Sequence, residues 1–149
     1  MRCSKLTTVS FPECSYIGSN AFESCISLTI ANFPICSYIG SAAFAVCSNL
    51  TSISFPVCNY IEDNAFLSCI NLTTISFPIC SCIGVWAFAD CFNLTTIYLD
   101  QTSSVCDLPY SNAFYDCNKL ISIYVPNSLV TAYKNHSQWS YYSNKIIGI

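Results

Sequence analysis

Charge is scarce in this chain, and positive charge is nearly absent from its middle. Only 9% of the 149 residues are charged, and no lysine or arginine stands between Lys5 and Lys119. The five bases are Arg2, Lys5, Lys119, Lys134 and Lys145, whereas all eight carboxylates lie between Glu13 and Asp116. A body without a basic stripe lacks the electrostatic footprint of a nucleic-acid binder. Long apolar runs are missing too. Although 53% of the residues are apolar, Ser, Thr, Asn or a charge interrupts each stretch well before the roughly 18 residues that a spanning helix requires, so no membrane span is expected. The start, Met1-Arg2-Cys3-Ser4-Lys5, has none of the basic, apolar and small-residue order of a secretion signal. The expectation is a cytoplasmic chain, or a piece of a longer surface or secreted one.

Catalytic signatures are equally sparse. His136 is the only histidine, and no G-x-S-x-G, phosphate-cradling glycine loop or paired-carboxylate pattern occurs. A Ser/His/Asp triad would have to draw on His136, deep in the C-terminal segment. No C-x-x-C is present, and Cys80-x-Cys82 stands alone, so zinc spacing is missing. The reading is non-enzymatic, with no metal and no cofactor.

What the chain does have is period. The length suits a single domain, and self-comparison is the first test for such a sequence. Phe-Pro recurs at 11–12, 33–34, 55–56 and 77–78. Ala-Phe recurs at 21–22, 43–44, 65–66 and 87–88, then at 113–114 after an insertion of four. Leu6, Leu28, Leu50, Leu72, Leu94 and Leu120 keep the same schedule. One coil reads C-x-x-L-T-x-I-x-F-P-x-C-x-x-I-G-x-x-A-F-x-x, and about five and a half coils follow one another.

Each part of the coil has a physical reading. Val9/Phe11 or Ile53/Phe55, two residues apart, fall on one face of a short strand with polar neighbours on the other. These strands should stack into one parallel sheet. Proline lacks an N–H, so the Pro after each Phe should end the strand. A second extended piece, such as Tyr16-Ile17-Gly18, leads to a helical or 3₁₀ turn that points the Ala-Phe phenylalanine inward. A single coil cannot bury its apolar side, and stability must come from stacking.

The string I-G-x-x-A-F-x-x-C-x-x-L-T-x-I, seen from Ile39 to Ile53 and from Ile83 to Ile97, resembles the BspA-like, or Treponema-type, leucine-rich repeat. The tail with V-P-N-S-L-V-x-A-Y-K and W-S-Y-Y-S-N-K-I resembles the C-terminal cap that follows such repeats. The resemblance implies a leucine-rich-repeat solenoid over 1–125 and a small helical cap over 126–149. It also implies, for many relatives, a surface or secreted protein that engages host or bacterial partners. Glu62 departs from the pattern where other coils have Gly18, Gly40 and Gly84, so this position should not demand a glycine-only conformation. Ala31 replaces the larger Val9, Ile53, Ile75 and Ile97, and the fifth coil exchanges Phe-Pro for Leu99-Asp100 before a bulged loop from Ser103 to Asp107.

Twelve cysteines would suggest a disulfide scaffold in a short secreted chain, but their spacing argues otherwise. They form two columns, Cys3, Cys25, Cys47, Cys69, Cys91 and Cys117, and Cys14, Cys36, Cys58 and Cys80. Parallel side chains one coil apart sit slightly too far apart at Cβ for a disulfide, so free thiols packed in the core are expected. Cys82 and Cys106 break the columns and are expected to be the exposed or reactive thiols.

Two surfaces are candidates for binding. The outward rows of the sheet, Thr8/Ser10, Ile30/Asn32, Ser52/Ser54, Thr74/Ser76, Thr96/Tyr98 and Ser122/Tyr124, carry no charge. Their hydroxyls, with Tyr98 and Tyr124 as amphipathic anchors, suit a protein or glycan ligand, though Ser and Thr are equally good fillers of a sheet. A flank stripe of Tyr16, Tyr38 and Tyr60 offers a platform for a partner, and a tyrosine ladder that packs against itself accounts for it better. In the cap, Trp139 should plug the core, with Asn127 or Ser128 as N-cap of a first helix. The first coil presents Leu6, Val9 and Phe11 to no preceding coil in this sequence, which predicts either self-association through that end or further coils upstream that cover it. A non-enzymatic adhesion module at the cell surface is the leading expectation, and an intracellular scaffold is the alternative.

Overall fold

The computed structural model describes residues 3–100 and 102–149. Met1 and Arg2, the start of the basic N-terminal stretch, and Gln101 lie outside the described residues.

Every coil contributes one three-residue strand from its L-T-x-I-x-F segment. These are β1 (Thr8–Ser10), β3 (Ile30–Asn32), β5 (Ser52–Ser54), β7 (Thr74–Ser76) and β9 (Thr96–Tyr98), followed by β10 (Ser122–Val125). Neighbours pair in parallel with the repeat in register, for example Val9 with Ala31 and Ala31 with Ile53. In the first four coils the strand stops before the Phe-Pro pair, where the proline has no N–H to give to a ladder. Two-residue strands from the Y-I segment, β2 (Tyr16–Ile17), β4 (Tyr38–Ile39), β6 (Tyr60–Ile61) and β8 (Cys82–Ile83), build a second parallel sheet in the order β2-β4-β6-β8.

The L-T-x-I-x-F sheet is not continuous. It divides into β1-β3-β5 and β7-β9-β10, the latter extended by β11 (Ile146–Gly148), with no ladder between β5 and β7, where one sheet was expected. The phenylalanine column beneath it is also widest there. Phe55 and Phe77 are 5.9 Å apart, against 5.3 Å for Phe33 and Phe55. At the opposite corner Phe66 and Phe88 stay 5.0 Å apart, so the coils splay on the strand side and hold on the other.

The core is two stacked aromatic columns. Phe33, Phe55 and Phe77 alternate with Phe44, Phe66 and Phe88, all nearly free of solvent, and edge-on contacts such as Phe33 to Phe44 tie the columns together. Offset stacks and edge-to-face pairs are the arrangements that the ring quadrupole favours. Leu28, Leu50, Leu72 and Leu94 complete the layers.

The Ala-Phe corner is a run of hydrogen-bonded turns rather than a helix. Bonds such as Ala21 N–H to Gly18 and Cys25 N–H to Phe22 close each turn, while Phe22 N–H reaches Ala43 of the next coil. Two left-handed residues in each of the first four coils make these bends, Asn20 and Ser24, Ala42 and Val46, Asn64 and Ser68, Trp86 and Asp90, and Asp116 alone does so in the fifth. Asn tolerates that region, whereas a β-branched or bulky residue such as Val46 (φ 61°) or Trp86 (φ 55°) is strained there. None of the glycines has a positive φ, which agrees with Glu62 replacing one of them. Gly84 is constrained by space instead, because a Cβ there would lie 2.6 Å from the backbone of Glu62 and Asp63.

All twelve cysteines are free. One column is used as a row of donors: the thiols of Cys47, Cys69, Cys91 and Cys117 donate to the carbonyls of Phe22, Phe44, Phe66 and Phe88. In the other, Cys14, Cys36, Cys58 and Cys80 donate to the carbonyl two residues ahead. A small apolar side chain with a weak S–H donor fills the layer and satisfies a carbonyl at once. The expectation that Cys82 and Cys106 are exposed is overturned, for both are buried, and Cys3 and Cys14 are the accessible thiols. Cys106 is covered because the insertion folds beneath the C-terminal segment, and Cys82 because Asp107 bridges to it as the next strand position.

From Pro126 onward the chain closes the stack. A 3₁₀ turn (Asn127–Leu129), helix α1 (Val130–Asn135) and a 3₁₀ helix (Trp139–Lys145) precede β11 (Ile146–Gly148), which pairs in parallel with β10. Neither Asn127 nor Ser128 caps a helix; both lie inside the 3₁₀ turn, whose N-cap is Pro126. Trp139 is fully buried against Phe114 and Tyr133. Its Nε1 donates to the Cys106 carbonyl at 2.7 Å, and the Tyr133 hydroxyl accepts from the Cys106 N–H at 2.9 Å. The insertion is thus the seat of the closing segment.

Candidate binding surfaces

The outward positions of the split sheet divide by what their hydroxyls do. Thr29, Thr51 and Thr95, just before the strands, donate to the carbonyls of Thr7, Thr29 and Thr73 in the preceding coil. Their hydroxyls are consumed within the fold. The outward residues Thr8, Ser52, Ser54, Thr74 and Ser76 are exposed, and Ser122 is half-buried. Among the described residues their hydroxyls have no intramolecular partner, whereas Ser10 accepts from Asn32 at 3.3 Å and Thr96 meets Thr95. Tyr98 and Tyr124 stack at 4.9 Å and 15° at the end of the row, both half-buried. The face therefore offers free hydroxyls beside one rigid aromatic pair, with no formal charge.

The flank stripe packs on itself. Tyr16 and Tyr38 stack at 4.9 Å, and Tyr38 and Tyr60 at 5.4 Å. The Tyr38 hydroxyl donates to Glu62, whose second carboxylate oxygen accepts the Ser41 N–H at 2.7 Å. The hydrogen bond to Glu62, then burial, pushes the Tyr38 phenol up to about 12. The glutamate that replaced a glycine is thus a clamp on the middle rung, which accounts for the stripe structurally while leaving Tyr16 and Tyr60 exposed.

The asparagines of C-x-N-L-T also serve the stack. Asn71 donates to Asn49, and Asn93 to the Ile70 carbonyl. At the open first coil, Phe11 is 48% exposed and lines an apolar groove of about 180 Å³ with Cys14, Tyr16, Phe22 and Phe33.

Sequence reasoning passed over the turn face. Trp86 and Tyr115, half-exposed or more, line a groove of about 260 Å³ with Leu67, Ala89 and Asp90. The signal was present: each aromatic departs from the residue type that its column carries in the other coils.

His136 accepts a hydrogen bond from the Gln138 N–H within the closing segment. Among the described residues no three His, Cys, Asp or Glu side chains are grouped to hold a metal, and no helix is long and apolar enough to cross a membrane.

The repeat, the two sheets and the closing segment have counterparts. The BspA type leucine rich repeat region matches in six copies, over residues 1–81 and 37–143, and the chain belongs to that family. The fold is a leucine-rich-repeat solenoid. A leucine rich repeat protein of Treponema pallidum is similar in structure, with 28% identity and a TM-score of 0.70 over 78% of this chain and 57% of that one. A leucine rich cell surface protein of Faecalibacterium prausnitzii is 27% identical with a TM-score of 0.70, covering 95% of this chain and 36% of that one. The pneumococcal vaccine antigen PcpA shares the fold at 19% identity and a TM-score of 0.71, over 95% of this chain and 41% of that one. The chain spans only part of the length of each of these neighbours. No curated protein matches the sequence.

Proposed function

We propose that the chain is a non-enzymatic binding module of a bacterial surface or secreted protein, and that its strand face engages a protein or glycan partner. The observation that carries this reading is the row of unpartnered outward hydroxyls ending on the stacked Tyr98–Tyr124 pair. Hydroxyls with no internal partner can exchange water for a ligand at little cost, and stacked tyrosines present amphipathic area already held in place. The name of the cell-surface neighbour supports a surface role.

Binding by the purified chain to a glycan array and to host-matrix proteins, beside a Tyr98→Ala/Tyr124→Ala variant, tests the proposal. Specific binding lost in a folded variant supports it. Unchanged binding in that variant moves the site off the strand face. An intracellular scaffold is the second reading, favoured by twelve free thiols, since such thiols persist in reducing compartments. The exposed apolar groove at Phe11 is further proposed to be covered by a second copy. Concentration-dependent sedimentation that Phe11→Ser abolishes is the expected result, and a monomer at all concentrations counts against it.

A further inference from the structure

Two aromatic residues break their columns on adjacent coils, and the fold brings them to one place. Where Trp86 stands, the other coils have Asn20, Ala42, Asn64 and Asn112; where Tyr115 stands, they have Glu23, Ala45, Leu67 and Ala89. Trp86 and Tyr115 together line the groove on the turn face, with Leu67 and Ala89 as apolar neighbours and Asp90 beside them. Trp86 is 49% exposed and Tyr115 64%. Neither ring is therefore needed by the core, and asparagine makes the same corner at Asn20 and Asn64. Trp86 also sits at φ 55°, a left-handed conformation that strains a bulky residue. The fold carries a strained, half-exposed indole there without structural return, and strained residues gather where ligands are held.

The charge around this groove has one sign. Among the described residues the Asp90 carboxylate has no hydrogen bond or ion pair, and Asp116, next in its column, accepts only from Asn118. Lys119, the nearest base along the chain, donates to Asn93. With no lysine or arginine between Lys5 and Lys119, the stretch from Leu67 to Tyr115 that lines the groove carries no cation of its own. Electron-rich ring faces attract a cation, tryptophan most strongly, and the adjacent Asp90 carboxylate supplies formal charge. A guanidinium fits this pairing better than an ammonium, because its flat face stacks on a ring while its edge meets a carboxylate with two hydrogen bonds.

We propose that the Trp86–Tyr115 groove is a docking site for an arginine side chain presented by a partner protein. The proposal does not depend on the strand face, which carries no charge and lies on different segments of the coil.

Calorimetric titration with an acetylated and amidated Gly-Ser-Arg-Ser-Gly peptide tests it, with a citrulline peptide of the same shape as control. The Trp86 emission, set against the buried Trp139, reports the location. The arginine peptide is expected to bind saturably and shift that emission, and the neutral citrulline peptide to bind at least about tenfold more weakly. Raising salt to about 0.5 M weakens the interaction. Trp86→Asn, which restores the residue of three other coils and relieves strain, should keep the circular dichroism and keep or raise the melting temperature while losing binding. Asp90→Asn should weaken it about tenfold. Equal binding of the two peptides, binding retained in Trp86→Asn, or a response to neutral oligosaccharides and not to the arginine peptide would each overturn the proposal.

Discussion

The first and fifth coils carry the same repeat and are covered differently. In the fifth coil Phe114 is 3% exposed, covered by Trp139 and Tyr142. In the first coil Phe11 is 48% exposed, and Phe22 is only partly buried. The lesson is that a coil's burial belongs to its neighbours: one coil presents a half-core, and the next coil or the closing segment completes it. The closing segment does this with an indole in the core, a tyrosine tied to the insertion and a strand added to the sheet edge. It even replaces a coil-to-coil bond. The series Asn20 to Ser41, Ala42 to Asp63 and Asn64 to Val85 ends at Ser111, whose carbonyl accepts the Tyr142 hydroxyl instead.

The largest test of that contrast is alkaline pH. Burial pushes the thiols of Cys47 and Cys117 from 9.0 up to about 12, and burial likewise raises Tyr133 and Tyr142 from 10.0 to about 12. A group whose folded pKa is raised contributes its full stability below the unfolded pKa and loses it as pH climbs toward the folded value. Stability should thus hold up to about pH 9 and then fall toward pH 12, by as much as ~1.4 kcal/mol per pH unit for each buried thiol. Urea midpoints measured from pH 7 to 11 check it, and a flat profile would contradict burial of the columns. Below pH 9 only Cys3 and Cys14 should alkylate readily.

Truncation sharpens the contrast at single residues. Trp139→Ala removes a fully buried indole and should cost about 3–5 kcal/mol. Phe11→Ala, at a ring already half in water, should cost about 1 kcal/mol or less. Chemical denaturation of both variants compares them directly, and equal losses would mean that the first coil is as well packed as the last.

Much of this architecture was legible in the sequence because a repeat writes its contacts as columns. Phe-Pro, Ala-Phe and the two cysteine columns located the inward positions, and the Cβ separation of parallel side chains argued for free thiols. What escaped were features that occur once. Cys82 and Cys106 have no column, so periodicity said nothing of the insertion that buries them. β11 comes after the repeats, where three residues leave no period to read. The break between β5 and β7 arises from a change in coil spacing that leaves residue types unaltered. Trp86 and Tyr115 were visible as departures, but only the fold shows that they share a groove.

Hydrogen exchange resolved along the chain tests the central claim most directly, that each coil is stabilised by the one stacked on it. Backbone amides of Phe44, Phe66 and Phe88, bonded across coils, should exchange slowly and at similar rates, and protection should fall away through the first coil. Equal protection of the first coil and the middle coils in the isolated, monomeric chain would contradict it.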